Sequence, residues 1–200
     1  MTRPASTIPA QEGFGEYLDR GSRFLAWVFH APDLAAFDAR LANLHVEHAK
    51  ARHHCWAWTI AGAYRFNDDG EPGGTAGRPM LQVLEGSELQ DVAAICVRYF
   101  GGVKLGTGGL ARAYSGATAI ALEDAGIEVL EARTTLQLEL PFSMLGLRTE
   151  IEALFPDAVM AGNFTDRGFL GTLDLPLEQL EHLQSILAEK AKGLVITKQI

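Results

Sequence analysis

Cysteine is scarce in this chain, and long apolar runs are missing. Only Cys55 and Cys96 occur in 200 residues, too few for a disulfide framework to hold the fold together. No stretch approaches the roughly 20 apolar residues that a membrane helix needs, and the longest early run, Phe24–Phe29, has the length of a strand. The first twenty residues carry Glu12, Glu16 and Asp19 and lack the apolar segment of a secretory signal. A cytoplasmic location with no membrane partner is therefore expected. Sustained repeats and low-complexity tracts are also lacking. What is present, 48% hydrophobic and 21% charged residues, fits a globular chain of one or two domains and excludes disorder or collagen-like repetition.

Charge of one sign is missing locally. The net charge of −8 argues against indiscriminate attraction to nucleic acid or membrane. Between Asp91 and Glu123, however, no acidic residue occurs, while Arg98, Lys104 and Arg112 do. An acidic protein with one basic, glycine-rich segment can still draw a polyanion to a single place.

The patterning divides the chain near Glu131–Arg133. Residues 1–20 are weakly periodic and read as a loose N-terminal arm with at most a short strand. Residues 21–131 form a first domain. Ser22–His30 reads as a strand, Pro32 suits a first helical turn, and Leu34, Phe37, Leu41, Leu44 and His48 mark one helix face. Cys55–Ile60 and Ala63–Phe66 make a hairpin turning at Ala61-Gly62. Pro79–Leu84 starts a helix, and Val92–Phe100 is a continuous apolar run typical of a buried strand. In the next helix Leu110, Tyr114, Ala117, Ala121 and Ala125 share a face, and the alanines imply close packing on a sheet. Ile127–Leu130 closes the domain as a strand. Residues 133–200 are a second domain. Leu136, Leu138 and Leu140 alternate as in a strand; Leu147, Ile151 and Leu154 mark a helix. Ala158–Phe164 pairs with Phe169–Leu175; Leu177, Leu180, Leu183 and Leu187 mark a second helix, and Leu194–Thr197 is a last strand. The order βαββαβ is that of a ferredoxin-like split motif.

Two loops draw attention. Asn67–Pro79 holds four glycines and the carboxylates of Asp68, Asp69 and Glu71, with Thr75 and Arg78 completing its polar set. A long coreless loop in a compact domain is functional or disordered. Its acids either pair with Arg98, Lys104 or Arg112 across the gap between the loops or gather a hard cation. In the second loop Gly101, Gly102, Gly106, Gly108 and Gly109 surround Lys104 and lead from a strand into a helix start. Backbone amides and the helix dipole favour an anion there; the bland alternative is a tight turn that uses glycine for its backbone freedom. It is not a P-loop, since Thr107-Gly108 stands where Lys-Ser/Thr belongs. A dinucleotide reading is weakened by the six residues between strand and first glycine. His48, His53, His54 and Cys55 lack zinc spacing and read as packed or hydrogen-bonded side chains. Nothing near Cys55 predicts a lowered thiol pKa. Trp56 and Trp58 share one sheet face, either as core or as an aromatic platform for bases.

The segment Arg65-x-Asn67-Asp68-Asp69-Gly70-Glu71-Pro72-Gly73-Gly74-Thr75-Ala76-Gly77-Arg78-Pro79-Met80, followed by Val97-Arg98-Tyr99-Phe100-Gly101-Gly102-x-Lys104-Leu105-Gly106-x-Gly108-Gly109-Leu110-x-Arg112-Ala113-Tyr114, resembles the YigZ/IMPACT family. His48-Ala49-x-Ala51-Arg52-His53-His54-Cys55-Trp56-Ala57-Trp58 extends the likeness. The resemblance implies an α+β chain: an N-terminal two-layer domain of the ribosomal-protein-S5 domain-2 type, then a C-terminal ferredoxin-like domain. That pair looks like consecutive domains of the translocating elongation factor. Eukaryotic relatives act in translational control by competing for an activator of a starvation-sensing kinase, partly through an RWD domain that these residues do not match, so that partner is not carried over. The family offers no established catalytic residues, and none is transferred.

The leading expectation is a binding protein rather than an enzyme, with no cofactor and no catalytic or metal residues assigned. Its partner would be the ribosome or structured RNA, or a protein of the translation machinery. Arg98, Gly101, Gly102, Lys104, Gly106, Gly108, Gly109 and Arg112 would meet phosphate, supported by Asp68, Asp69, Glu71, Thr75 and Arg78. A second reading is an enzyme holding a nucleotide or phosphate with a divalent ion between the loops. A third makes both loops a dimer or partner-protein interface. Composition and motifs leave the oligomeric state open.

Overall fold

The computed structural model describes residues 2–3, 5–191 and 196–199. The chain divides into two compact units, Thr7–Val129 and a second made of Leu130–Ile200 with Met1–Ser6. Its elements begin with β1 (Thr2–Arg3), which belongs to the second unit, and β2 (Ser6–Pro9). There follow β3 (Gly13–Asp19), β4 (Ser22–His30), α1 (Leu34–Glu47), β5 (His53–Ile60), β6 (Ala63–Asn67), α2 (Gly77–Glu85), β7 (Val92–Tyr99), α3 (Gly106–Ala125) and β8 (Ile127–Leu130). The main sheet of the first unit runs β3-β4-β7-β5-β6, with every pairing antiparallel. β2 and β8 form a separate two-stranded ribbon.

The apolar run that predicts a buried strand becomes β7, the middle strand, buried from Val92 to Arg98. Successive side chains of a strand point to opposite faces, and here both faces are apolar. Ala94 and Cys96 join Phe24, Ala26, Val28 and Ala57 under α2 and α3. Ala93 and Ile95 join Phe29, Trp58 and Ile60 under Phe37 and Leu44 of α1. Helices thus cover both faces, giving three layers and correcting the expected two. Trp56 meets Phe37 edge-on at 5.1 Å between centroids, so the indoles belong to the core rather than to an aromatic platform. α1 starts at Leu34, so Pro32, expected in its first turn, lies just before it; Asp33 is the cap and accepts from the Ala36 N–H at 2.8 Å.

The largest departure from expectation lies in the N-terminal arm expected over residues 1–20, where Ser6–Pro9 and Gly13–Asp19 are strands. β3 is a full edge strand paired with β4 through an Arg20-Gly21 turn, both residues at positive φ (46° and 80°). Its inward positions are Gly13, Gly15 and Tyr17. A Cβ on Gly15 would lie 2.4 Å from the Ala117 carbonyl oxygen, and one on Gly13 would lie 2.1 Å from that of Ala121. Strand and helix backbones are therefore in contact, glycine on one side and alanine on the other. That closeness confirms the packing implied by the alanines of α3, and it explains why β3 shows no apolar alternation. The β5–β6 hairpin turns at Ala61-Gly62 as predicted (φ 50° and 75°).

The second unit contains β9 (Arg133–Pro141), α4 (Leu145–Leu154), β10 (Val159–Phe164), β11 (Gly168–Pro176), α5 (Leu180–Ala191) and β12 (Ile196–Gln199), the predicted βαββαβ succession. β9 pairs with β11 on one side and with β12 and β1 on the other, and β10 pairs with β11, all antiparallel. Leu136, Leu138 and Leu140 pack with Leu147, Ile151, Leu183 and Leu187. Leu154, expected inside, is half exposed, and Phe155 fills the core just after α4 ends. Of the expected last strand, Leu194–Thr197, Leu194 and Val195 lie outside the described residues.

Candidate anion-binding cleft

The first glycine-rich loop has nothing large to bury, and one carboxylate organises it. Asp68 accepts from the N–H groups of Gly74 (2.8 Å), Ala76 (2.9 Å) and Gly77 (2.8 Å). Gly77 opens α2, so Asp68 supplies the helix cap that the Ala76 side chain cannot. Asp69 fixes the loop to β5: its carboxylate accepts from the His54 N–H at 2.6 Å and its carbonyl oxygen contacts His53 Nδ1 at 2.7 Å. The Cys55 thiol donates to the Asp68 carbonyl (3.0 Å), and Thr75 Oγ1 donates to that of Pro72 (2.6 Å). Arg78 lies exposed on α2.

The third carboxylate crosses to the basic segment. Glu71 Oε1 accepts from Arg98 Nη1 at 2.7 Å and from the Tyr114 hydroxyl at 2.8 Å. The ion pair is almost wholly buried, with side chains 7% and 4% exposed. The expected pairing between the loops thus forms through Glu71 and Arg98, and Arg98 is not the open surface cation that the sequence suggests. Removing one member of such a buried pair strands the other charge and costs about 3–5 kcal/mol. Arg98 Cζ also lies 5.4 Å from the centroid of Phe24 and 5.5 Å from that of Phe100, while its Nε has no hydrogen-bond partner among the described residues.

Beneath this floor Cys55 Sγ lies 3.4 Å from the Tyr114 hydroxyl. Burial pushes the pKa values of Cys55, Cys96 and Tyr114 upward, so all three stay protonated. A reactive Cys55 thiolate has no support.

The second loop is open. α3 starts at Gly106 (φ 71°) with Leu105 at the cap position, and no side chain among the described residues caps it. Gly106, Thr107 and Gly108 are exposed, leaving the first-turn amides of a 20-residue helix facing outward. Lys104 and Gly102 are exposed beside them; Arg112 is exposed one turn along, its guanidinium leaning back toward Gly108. Gly101 serves the fold instead. Its N–H donates to Ser22 Oγ (3.1 Å), and a Cβ there would fall 1.9 Å from the carbonyl carbon of Gly21. Gly109 is buried against Leu105.

Between the loops lies a cleft of about 490 Å³, lined by Arg52, His53, Glu71, Arg98, Phe100 and Lys104 together with the start of α3. Arg52, His53 and Phe100 are absent from the set predicted by sequence. The missing signal is strand pairing: β5 lies beside β7, with His53 opposite Arg98. Another cleft, of about 530 Å³, contains Glu85 and Asp91 and no cation among its lining residues, so it does not suit an anion. Asp68, Asp69 and Glu71 all accept bonds from the protein, and no group of three metal-ligating side chains converges among the described residues. His48 Nδ1 contacts the Tyr99 hydroxyl (2.9 Å), and His54 stacks on His45 at 4.0 Å.

No helix among the described residues is long and apolar enough to cross a membrane. The Impact N-terminal domain family matches residues 20–122, a span that contains both loops. The chain is 37% identical over 181 residues to an IMPACT family member of Haemophilus influenzae, covering 88% of this chain and 87% of that one. It is 37% identical over 180 residues to the IMPACT family member YigZ of Escherichia coli, covering 86% of each. A crystal structure titled as that of a hypothetical protein is similar with a TM-score of 0.79 at 33% identity, covering 99% of this chain and 98% of the other. Relatives 37% identical over 86–87% of their length, together with the family match over residues 20–122, place this chain in the IMPACT family.

Proposed function

We propose that this protein is a regulator of translation that binds structured RNA or the ribosome by gripping phosphate in the cleft between its two glycine-rich loops. The observation that carries this reading is the uncapped first turn of α3, set beside Lys104 and Arg98 in a concave site. The strand order β12-β9-β11-β10 supports a ferredoxin-like second domain, beginning near Arg133. The segment from residue 21 to 131, in turn, is read as an S5 domain-2 relative that carries α1 as an added layer. A metal-dependent enzyme is the weaker reading, because its cation would need carboxylates already engaged with amides and with Arg98.

The test is the double variant Lys104→Ala, Arg112→Ala, which spares the buried ion pair. Each lost phosphate contact is expected to flatten the log–log salt dependence of RNA binding by about 0.7–0.9 and to weaken co-sedimentation with ribosomes. Binding unchanged in strength and salt slope would remove the proposal.

A further inference from the structure

The phosphate-binding reading leaves one wall of the cleft unused. Phe100 is 54% exposed on the rim, beyond the end of β7, where a large apolar side chain has no core to join. Pro72, Leu105 and Leu110 continue the apolar lining. A site for bare phosphate needs none of this surface. The same cleft is lined by Lys104 and the open first turn of α3. Arg98 also lines it, more than nine-tenths buried, its Nε lacking a partner among the described residues. A buried guanidinium N–H without an acceptor is a costly group, and Arg98 is held in place by Glu71 at the edge of the cleft. The volume, about 490 Å³, falls within the roughly 300–1,000 Å³ typical of small-ligand sites. A groove for the backbone of a duplex would instead be a shallow, wholly polar track.

We propose that the cleft takes a single unstacked nucleotide of single-stranded RNA, with its phosphate on the first turn of α3 and Lys104 and its base against Phe100. The proposal rests on the phosphate reading of the same cleft and narrows it: Phe100 stacks a base, and the amides and Lys104 take the charge. Stacking on an aromatic side chain is tolerant of sequence, so the preference is for strand state rather than for a particular base.

The experiment compares a 12-nucleotide single-stranded RNA with the duplex of the same sequence, using the full chain and the variants Phe100→Ala and Lys104→Ala. The single strand is expected to bind wild type at least tenfold more tightly than the duplex. Phe100→Ala is expected to weaken single-strand binding roughly five- to hundredfold without changing the salt slope, whereas Lys104→Ala lowers the slope. Adenosine monophosphate should displace the strand at concentrations at least tenfold below those of inorganic phosphate. Equal affinity for strand and duplex, an inert Phe100→Ala, or equal potency of phosphate and the nucleotide overturns the nucleotide pocket while the phosphate site stands. Absence of RNA binding at low salt overturns both.

Discussion

His54 shows what a single buried side chain imposes. It is 4% exposed, its Nε2 has no partner among the described residues, and its ring stacks on His45. Burial, reinforced by the neighbouring His45, holds its pKa below the ordinary 6.5, with the Asp69 carboxylate pulling weakly the other way. The unfolded chain therefore takes up a proton at this position that the folded protein resists. Stability from this residue is complete above about 6.5 and is lost as pH falls from there through the folded value. Urea denaturation at pH 7.5 and 5.5 should show a larger acid-side loss for wild type than for His54→Asn. Matching losses would disconnect this histidine from the acid sensitivity. Glu71 is the complementary case. It carries two bonds on one oxygen, and its role was legible in the sequence only as a surplus of acid in one loop facing a surplus of base in another.

At the scale of elements, the first glycine-rich loop is a rigid part whose stiffness comes from Asp68. Asp68→Ala leaves the N–H groups of Ala76 and Gly77 without acceptors beneath the surface. Buried donors left unmade cost about 1–3 kcal/mol each. A loss of roughly 3 kcal/mol is expected, lowering Tm by on the order of 10 °C, with Asp68→Asn losing about half as much because one acceptor oxygen remains. An unshifted melting curve would show that the loop is ordered by something else. Elements with an apolar stripe were legible from spacing alone: α1, α3, β7 and the leucine-rich strands and helices of the second unit. β3 was not, since its packing surface is the absence of side chains, and periodicity registers only side chains that exist. For the same reason the sequence could mark the glycines of the second loop but not separate them. Gly101 makes room for a neighbouring turn, while Gly106 and Gly108 leave amides open.

For the whole molecule, the cleft was half visible in the sequence. The basic stretch and both loops stand out along the chain, but Arg52, His53 and Phe100 join them only because β5 pairs with β7. The same gap between linear and spatial order affects how the protein can be divided. The family-domain match begins at residue 20, whereas the strand that shelves α3 ends at Asp19. A fragment starting at residue 20 would keep every residue of the cleft yet lose Gly13, Gly15 and Tyr17 from beneath the helix whose first turn forms it. Such a fragment is expected to express poorly or to melt well below the full chain by circular dichroism; equal melting temperatures would show that β3 is dispensable. The family-domain match and foldability thus draw different borders here, and anyone dissecting the gene along the first would cut through the second.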